Sequence, residues 1–154
     1  MKKQPNKKIL QEWFSKLTNF QSNRFHPLVW IVGKPKIGKD VYIGGFSEVN
    51  AKGAKVSIGD FCDIASFVSI NTADSHLKCI ELKSKIVRKS IKIEDHVFIG
   101  SHSVIKAGAN IGHHSVIAAG SIVGDLTVPP FSLVVGNPAS IKKGYYKKKR
   151  DDTT

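Results

Sequence analysis

Between Ile93 and Val123 an aliphatic residue returns at every sixth position: Ile93, Ile99, Ile105, Ile111, Ile117 and Val123. Four positions after each of the first five stand Val97, Ser103, Ala109, Ser115 and Ser121, nearly all of them small. A helix, with a period of 3.6, or a lone strand, with a period of 2, does not hold that phase. Repeats of six predict a parallel β-helix. In such a solenoid the aliphatic residues fill a thin interior column, stacked backbones satisfy one another, and both ends must be capped.

The same phase is present upstream at Ile37, Ile43 and Val49. It slips by three residues around Lys52-Gly53-Ala54, which predicts a bulge or small loop, and resumes at Ile58, Ile64 and Ile70. Gly38, Gly44 and Gly59 each follow an aliphatic residue, where a tight corner favours glycine. Over residues 71–90 the phase is lost, with neither strand alternation nor helix caps, and the segment reads as a long loop holding Asp74 and His76. A long loop inside a compact repeat is either functional or disordered. Val128-Pro-Pro-Phe131 is expected to end the repeat, since two prolines remove two ladder donors. At the other end, residues 9–20 place Ile9, Leu10, Trp13, Phe14 and Leu17 on one face of a helix. That face is expected to pack on the body or on a neighbouring subunit; a peripheral membrane contact is the alternative. A linker broken at His26-Pro27 and Lys34-Pro35 follows. The division is thus a helix and linker over 1–26, a β-helix over 27–135 with its insertion at 71–92, and a basic tail over 136–154.

Composition narrows the function classes. The 154 residues suffice for one domain with a core, and no run approaches the roughly 18 apolar residues of a membrane span. No apolar run with a small-residue cleavage site follows the basic start, so the cytoplasm is the expected compartment. Cys62 falls in the small inward slot of a hexad and reads as core; with Cys79 it makes no zinc-type spacing. The net charge is +12, but ten of the 24 basic residues are Lys2, Lys3, Lys7, Lys8, Lys142, Lys143, Lys147, Lys148, Lys149 and Arg150. Basicity held at the termini argues against a nucleic-acid groove and leaves an anionic partner at the ends.

The hexads, followed by Val128-Pro-Pro-Phe-Ser-Leu-Val-Val-Gly-Asn-Pro-Ala139 and then lysines, resemble the hexapeptide-repeat acyltransferases over about residues 30–145. Within them the chain is most similar to the galactoside, maltose, xenobiotic and polysaccharide O-acetyltransferase branch. The resemblance implies an all-β, left-handed parallel β-helix with three six-residue faces per coil, assembled as a homotrimer with clefts between subunits. It implies acetyl-CoA as co-substrate and a saccharide or nucleotide-sugar acceptor, with no nucleic acid. The loop histidine of that branch matches His76, as general base; Asp74 either orients its ring or is simply a loop carboxylate. Phe98, Ser101 and Ala119 match the acetyl-CoA groove, with Phe98 where relatives often carry Trp, and Lys142 and Lys143 are set to meet its phosphates. Glu48, Asn50 and Asp60 are the candidates for the acceptor.

His96, His102 and His114 share one hexad position, and His96 and His114, 18 residues apart, are expected to stack on adjacent coils. Carbonic anhydrases of this fold hold zinc with three histidines, but His102 falls on another face and no metal is expected. The reading is direct acetyl transfer from acetyl-CoA to a sugar hydroxyl in surface polysaccharide synthesis. N-acetylation of a nucleotide-linked amino sugar, a zinc enzyme and a non-catalytic basic scaffold are the alternatives.

Overall fold

A computed structural model describes residues 6–18, 23–25 and 28–147. The break at His26-Pro27, Lys2, Lys3 and the residues from Lys148 to Arg150 lie outside them. Helix α1 (Lys7–Thr18) comes first. Five coils follow. The first holds β1 (Trp30–Val32), β2 (Lys36–Ile37) and β3 (Tyr42–Ile43); the second β4 (Glu48–Asn50), β5 (Val56–Ile58) and β6 (Asp63–Ile64). The third begins with β7 (Ser69–Asn71) and is interrupted by an excursion carrying β8 (Ala73–Asp74), α2 (His76–Cys79) and β9 (Val87–Arg88). It resumes with β10 (Ile91–Ile93) and β11 (Phe98–Ile99). The fourth has β12 (Val104–Lys106), β13 (Asn110–Ile111) and β14 (Val116–Ile117); the fifth β15 (Ile122–Val123), β16 (Thr127–Val128) and β17 (Leu133–Val135). A final strand, β18 (Ser140–Lys142), turns back antiparallel to β17.

Every third strand stacks in parallel, giving three sheets: a first face β1-β4-β7-β12-β15, a second β2-β5-β10-β13-β16 and a third β3-β6-β11-β14-β17-β18. The fold is a left-handed parallel β-helix of hexapeptide repeats. The register shows why a period of six builds it. Ile31, Val49, Ile70, Ile105 and Val123 stand one above another on the first face. Ile37, Ile58, Ile93, Ile111 and Val128 do so on the second. Ile43, Ile64, Ile99, Ile117 and Val134 do so on the third. Nearly all are buried, each burial being worth about 1.5–3 kcal/mol. The small slots tie corners together: Ser47, Ser103, Ser115, Ser121 and Ser132 are buried, and each hydroxyl hydrogen-bonds backbone.

Four expectations change here. The repeat does not end at Val128-Pro-Pro-Phe131: both prolines follow β16, the edge strand of its sheet, where no further coil waits for an amide, and β17 completes the coil. Glycine at 38, 44 and 59 is explained by proximity rather than by φ. A Cβ on Gly38, Gly44 or Gly59 would stand 2.3, 2.5 or 2.2 Å from an atom of the next coil. The positive φ falls two residues later, at Asp40 (49°) and otherwise on rings: Phe46, Phe61, Phe67, His96, His102, His114 and Phe131 all lie between 55° and 62°. Such φ costs roughly 1–2 kcal/mol for a non-glycine residue. The rings answer it by stacking from coil to coil, at roughly 0.5–1.5 kcal/mol per pair. Third, the stretch after Ile70 is not a plain loop, since β8 and β9 pair as an antiparallel stem beneath α2.

The fourth concerns the N-terminus, and only the packing of the helix face on the body of its own chain. Phe25 and Val29, both buried, close the first coil, and the Arg24 guanidinium donates to the carbonyls of Ile37 and Gly38. The cap is therefore the segment around Phe25, while α1 leaves Ile9, Leu10, Trp13 and Leu17 exposed. No helix among the described residues is long and apolar enough to cross a membrane.

Candidate active site

The excursion leaves the first corner, between the first and second faces, through a side-chain turn: Asn71 Oδ1 accepts the Ala73 amide at 2.9 Å. Arg88 donates to the Lys52 carbonyl and Lys89 pairs with Asp125, so the stem is tied to the coils on either side. At its tip Asp74 Oδ1 accepts both the backbone amide and the ring Nδ1–H of His76. The His76 side chain is 61% exposed, that of Asp74 23%. The other carboxylate oxygen, Oδ2, lies 3.3 Å from Lys106 Nζ. The hydrogen bond from His76 first, and Lys106 after it, lower the Asp74 pKa to about 2. With Nδ1–H given to Asp74, Nε2 is the acceptor nitrogen of the neutral imidazole. Lys106 was missed from sequence. Its signal was the residue after each first-face aliphatic: Asn50, Asn71 and Lys106 share one register row and line the face beside the excursion.

Phe98 stands on the third face, 41% exposed, and leads into the third corner, between the third and first faces. Ser101 turns that corner in the third coil and Ala119 in the fourth; the Gly120 amide donates to the Ser101 carbonyl at 2.9 Å. Neither the Ser101 nor the Ala119 amide donates to any described residue, and the amides of Gly45 and Ser66 on the coils below are equally open. Along this corner Phe46, Phe67 and His102 stack at 5.1 and 4.9 Å between ring centroids. The column stops at Gly120, where a Cβ would meet nothing within 4 Å. The result is a notch above His102, floored by two free amides. From Phe98 the outward row runs through Val116 and Leu133 to Lys142. Three strand spacings make that about 14 Å. Lys142 and Lys143 are both exposed.

Glu48 and Asn50 lie on the first face and touch, Asn50 Nδ2 donating to Glu48 Oε1 at 3.1 Å. Asp60 does not join them. It turns the second corner, where its Oδ1 accepts the Lys39 amide at 2.9 Å. His96 and His114 stack there at 4.6 Å, in a column with Phe61 and Phe131, while His102 stands on the third corner. The three histidines therefore do not converge on one point. His113 packs edge-on against His114. Cys62 is buried, its thiol pushed up by desolvation, and its Sγ contacts the Glu94 carbonyl at 3.1 Å; it is a core residue.

The model described as the hexapeptide repeat of succinyl-transferase matches residues 90–125. No curated protein matches the chain. Among solved structures, a hexapeptide-repeat-containing acetyltransferase from Vibrio cholerae O1 biovar eltor, complexed with acetyl coenzyme A, is 29% identical. The match covers 88% of this chain and 87% of that one, with a TM-score of 0.56. A maltose O-acetyltransferase from Clostridium difficile 630 is 28% identical over 89% of this chain and 83% of that one, TM-score 0.56. The polySia-specific acetyltransferase NeuO is 30% identical over 80% of this chain and 63% of its own length, TM-score 0.59. Coil register, repeat match and these likenesses converge: the chain carries the hexapeptide repeat and is similar to acetyltransferases built on it.

Proposed function

We propose that this acyltransferase moves an acetyl group from acetyl-CoA to a saccharide hydroxyl in surface polysaccharide synthesis, by direct transfer, with His76 as general base. The observation that carries the reading is the His76–Asp74 pair: an exposed imidazole, on an excursion held at both ends, with Nδ1 engaged and Nε2 free. Nε2 takes the proton of the acceptor hydroxyl as its oxygen attacks the thioester carbonyl. The tetrahedral intermediate expels the CoA sulfur, which recovers the proton from the imidazolium. Atoms balance without a covalent enzyme intermediate. Asp74 holds the ring and stabilises the imidazolium, and Lys106 keeps the carboxylate ionised and in place. For the donor, the free amides of Ser101 and Ala119 suit the polar pantetheine arm, Phe98 flanks it, and Lys142 and Lys143 lie where a row of about 14 Å ends, within reach of phosphates.

His76 belongs to the first corner and the amides to the third, with the whole first face between them. A single copy does not unite base and donor groove, which favours a homotrimer in which one subunit's excursion meets the next subunit's groove. Glu48, Asn50 and Asn71, on the face beside the excursion, are then the acceptor's contacts; Asp60 serves the second corner instead. Residues 27–135 form the catalytic body in this reading. The test is acetyl transfer to a panel of sugars and nucleotide sugars by wild type and His76→Ala, with CoA binding followed separately by thermal shift. Loss of transfer with CoA binding kept supports the reading. A His76→Ala enzyme with near-wild-type turnover sinks it, and turnover on an amino sugar only replaces O- by N-transfer.

A further inference from the structure

Helix α1 presents an apolar face that the described residues leave largely exposed. Trp13 is 64% exposed and Leu17 75%, with Ile9 and Leu10 exposed beside them and Phe14 half-buried. At 3.6 residues per turn these five side chains fall within a sector about 140° wide, with Lys16 at one border. The helix is joined to the coil-1 cap by a polar contact, Gln11 Nε2 donating to the Asn23 carbonyl at 3.0 Å. That end of the prism is basic: Lys8, Lys16, Arg24, Lys34, Lys36 and Lys39 are all exposed, against Glu12 and Asp40.

We propose that α1 is an interfacial anchor that lays the first-coil end of the prism on an anionic phospholipid surface. Charge decides the occupant. A second copy meeting this end through a two-fold contact would set six exposed cations against six more. Anionic headgroups neutralise them, while the acyl boundary takes up Trp13 and Leu17. Lysines bordering an apolar sector reach headgroups with their ammonium ends while their stems stay in the apolar zone. The helix has 12 residues, enough to lie in the interface and too few to cross it.

The experiment is co-sedimentation of the full chain with vesicles of phosphatidylcholine alone and of an equimolar mixture with phosphatidylglycerol. Binding to the mixed vesicles is expected to exceed binding to neutral ones at least about tenfold and to fall as salt rises. Trp13→Glu combined with Leu17→Glu is expected to lower it by about tenfold or more. Lys8→Glu with Lys16→Glu, read on a chain whose circular dichroism is unchanged, is expected to remove the preference for the anionic mixture. No binding to mixed vesicles, equal binding to both kinds, or unchanged binding by the apolar double variant would each overturn the proposal. So would a change in subunit number by light scattering on making that variant, since the face would then belong to another copy.

Discussion

Lys39, Asp60 and His113 turn the second corner and give their amides to carboxylates of a neighbouring coil, those of Asp60, Asp95 and Glu94. Gly45, Ser66, Ser101 and Ala119 hold the same place on the third corner, and their amides go to no described residue. Both corners are hexads with the same inward slot, and both carry stacked rings at positive φ. Among the described residues the second leaves only the Asp95 amide without an acceptor, and at its last coil Pro130 has no amide to satisfy. On the third, the ring column breaks at Gly120 and leaves a notch. An open amide row away from competing acceptors is a place for a ligand, whereas a closed one is a wall. The difference lies wholly in side chains that the interior does not constrain.

The largest expected effect lies at His76, the proposed base. His76→Ala is expected to lower kcat by about 10²–10⁴-fold while leaving the CoA dissociation constant in place. Asp74→Asn, which keeps shape and removes charge, should cost about 10–100-fold, as loss of a partner that orients a functional histidine does. Its pH behaviour follows from sign. The Asp74 pKa is lowered from 3.8 to about 2 on folding, so its contribution to stability is full above the ordinary value and fades as pH falls towards 2. The difference in urea midpoint between wild type and Asp74→Asn should therefore be constant from neutral pH to about 4 and close below it. A difference that closes already near neutrality would refute the pairing.

Ala119→Pro sharpens the contrast at a single atom. Pro130 occupies the equivalent place on the second corner, against Gly112, as Ala119 sits against Gly100, so the backbone accepts the ring there. Only one open N–H is lost. Weakening of CoA by roughly 3- to 10-fold in calorimetric titration is expected, with little change in melting temperature. The mirror experiment is the smallest. Asp95→Ala orphans the Asp60 amide and should lower stability by about 1 kcal/mol in urea titration, with CoA affinity unchanged. If Asp95→Ala weakened CoA as much as Ala119→Pro does, the two corners would not differ in the way described.

Much of this architecture was legible in the residues, because a period of six maps directly onto three stacked columns and every aliphatic residue from Ile37 to Val123 keeps its phase in register. Cys62 was placed in the core by that phase alone. The excursion was visible as a gap in the phase, but its stem was not, since β8 and β9 are two residues each and pair through backbone, which carries no side-chain pattern. The stacking of His96 on His114 followed from their separation of 18, whereas the rings of Phe61 and Phe131 above and below them did not stand out among aromatics scattered by number. Asp60 was grouped with Glu48 and Asn50 by nearness in sequence, and the coil carried it round to another corner.

The sequence by itself determined the solenoid, its coil height and the point at which it is broken, because burial of an aliphatic side chain at every sixth residue leaves little else for the backbone to do. Tertiary structure alone decided which amides are spent and which are left open, that Lys106 reaches back to Asp74, and that Trp13 and Leu17 of α1 stay exposed among the described residues. Those outcomes depend on which coil lies next to which and on who occupies the neighbouring lattice point. No local pattern of apolar and polar residues encodes that adjacency until the coils have stacked.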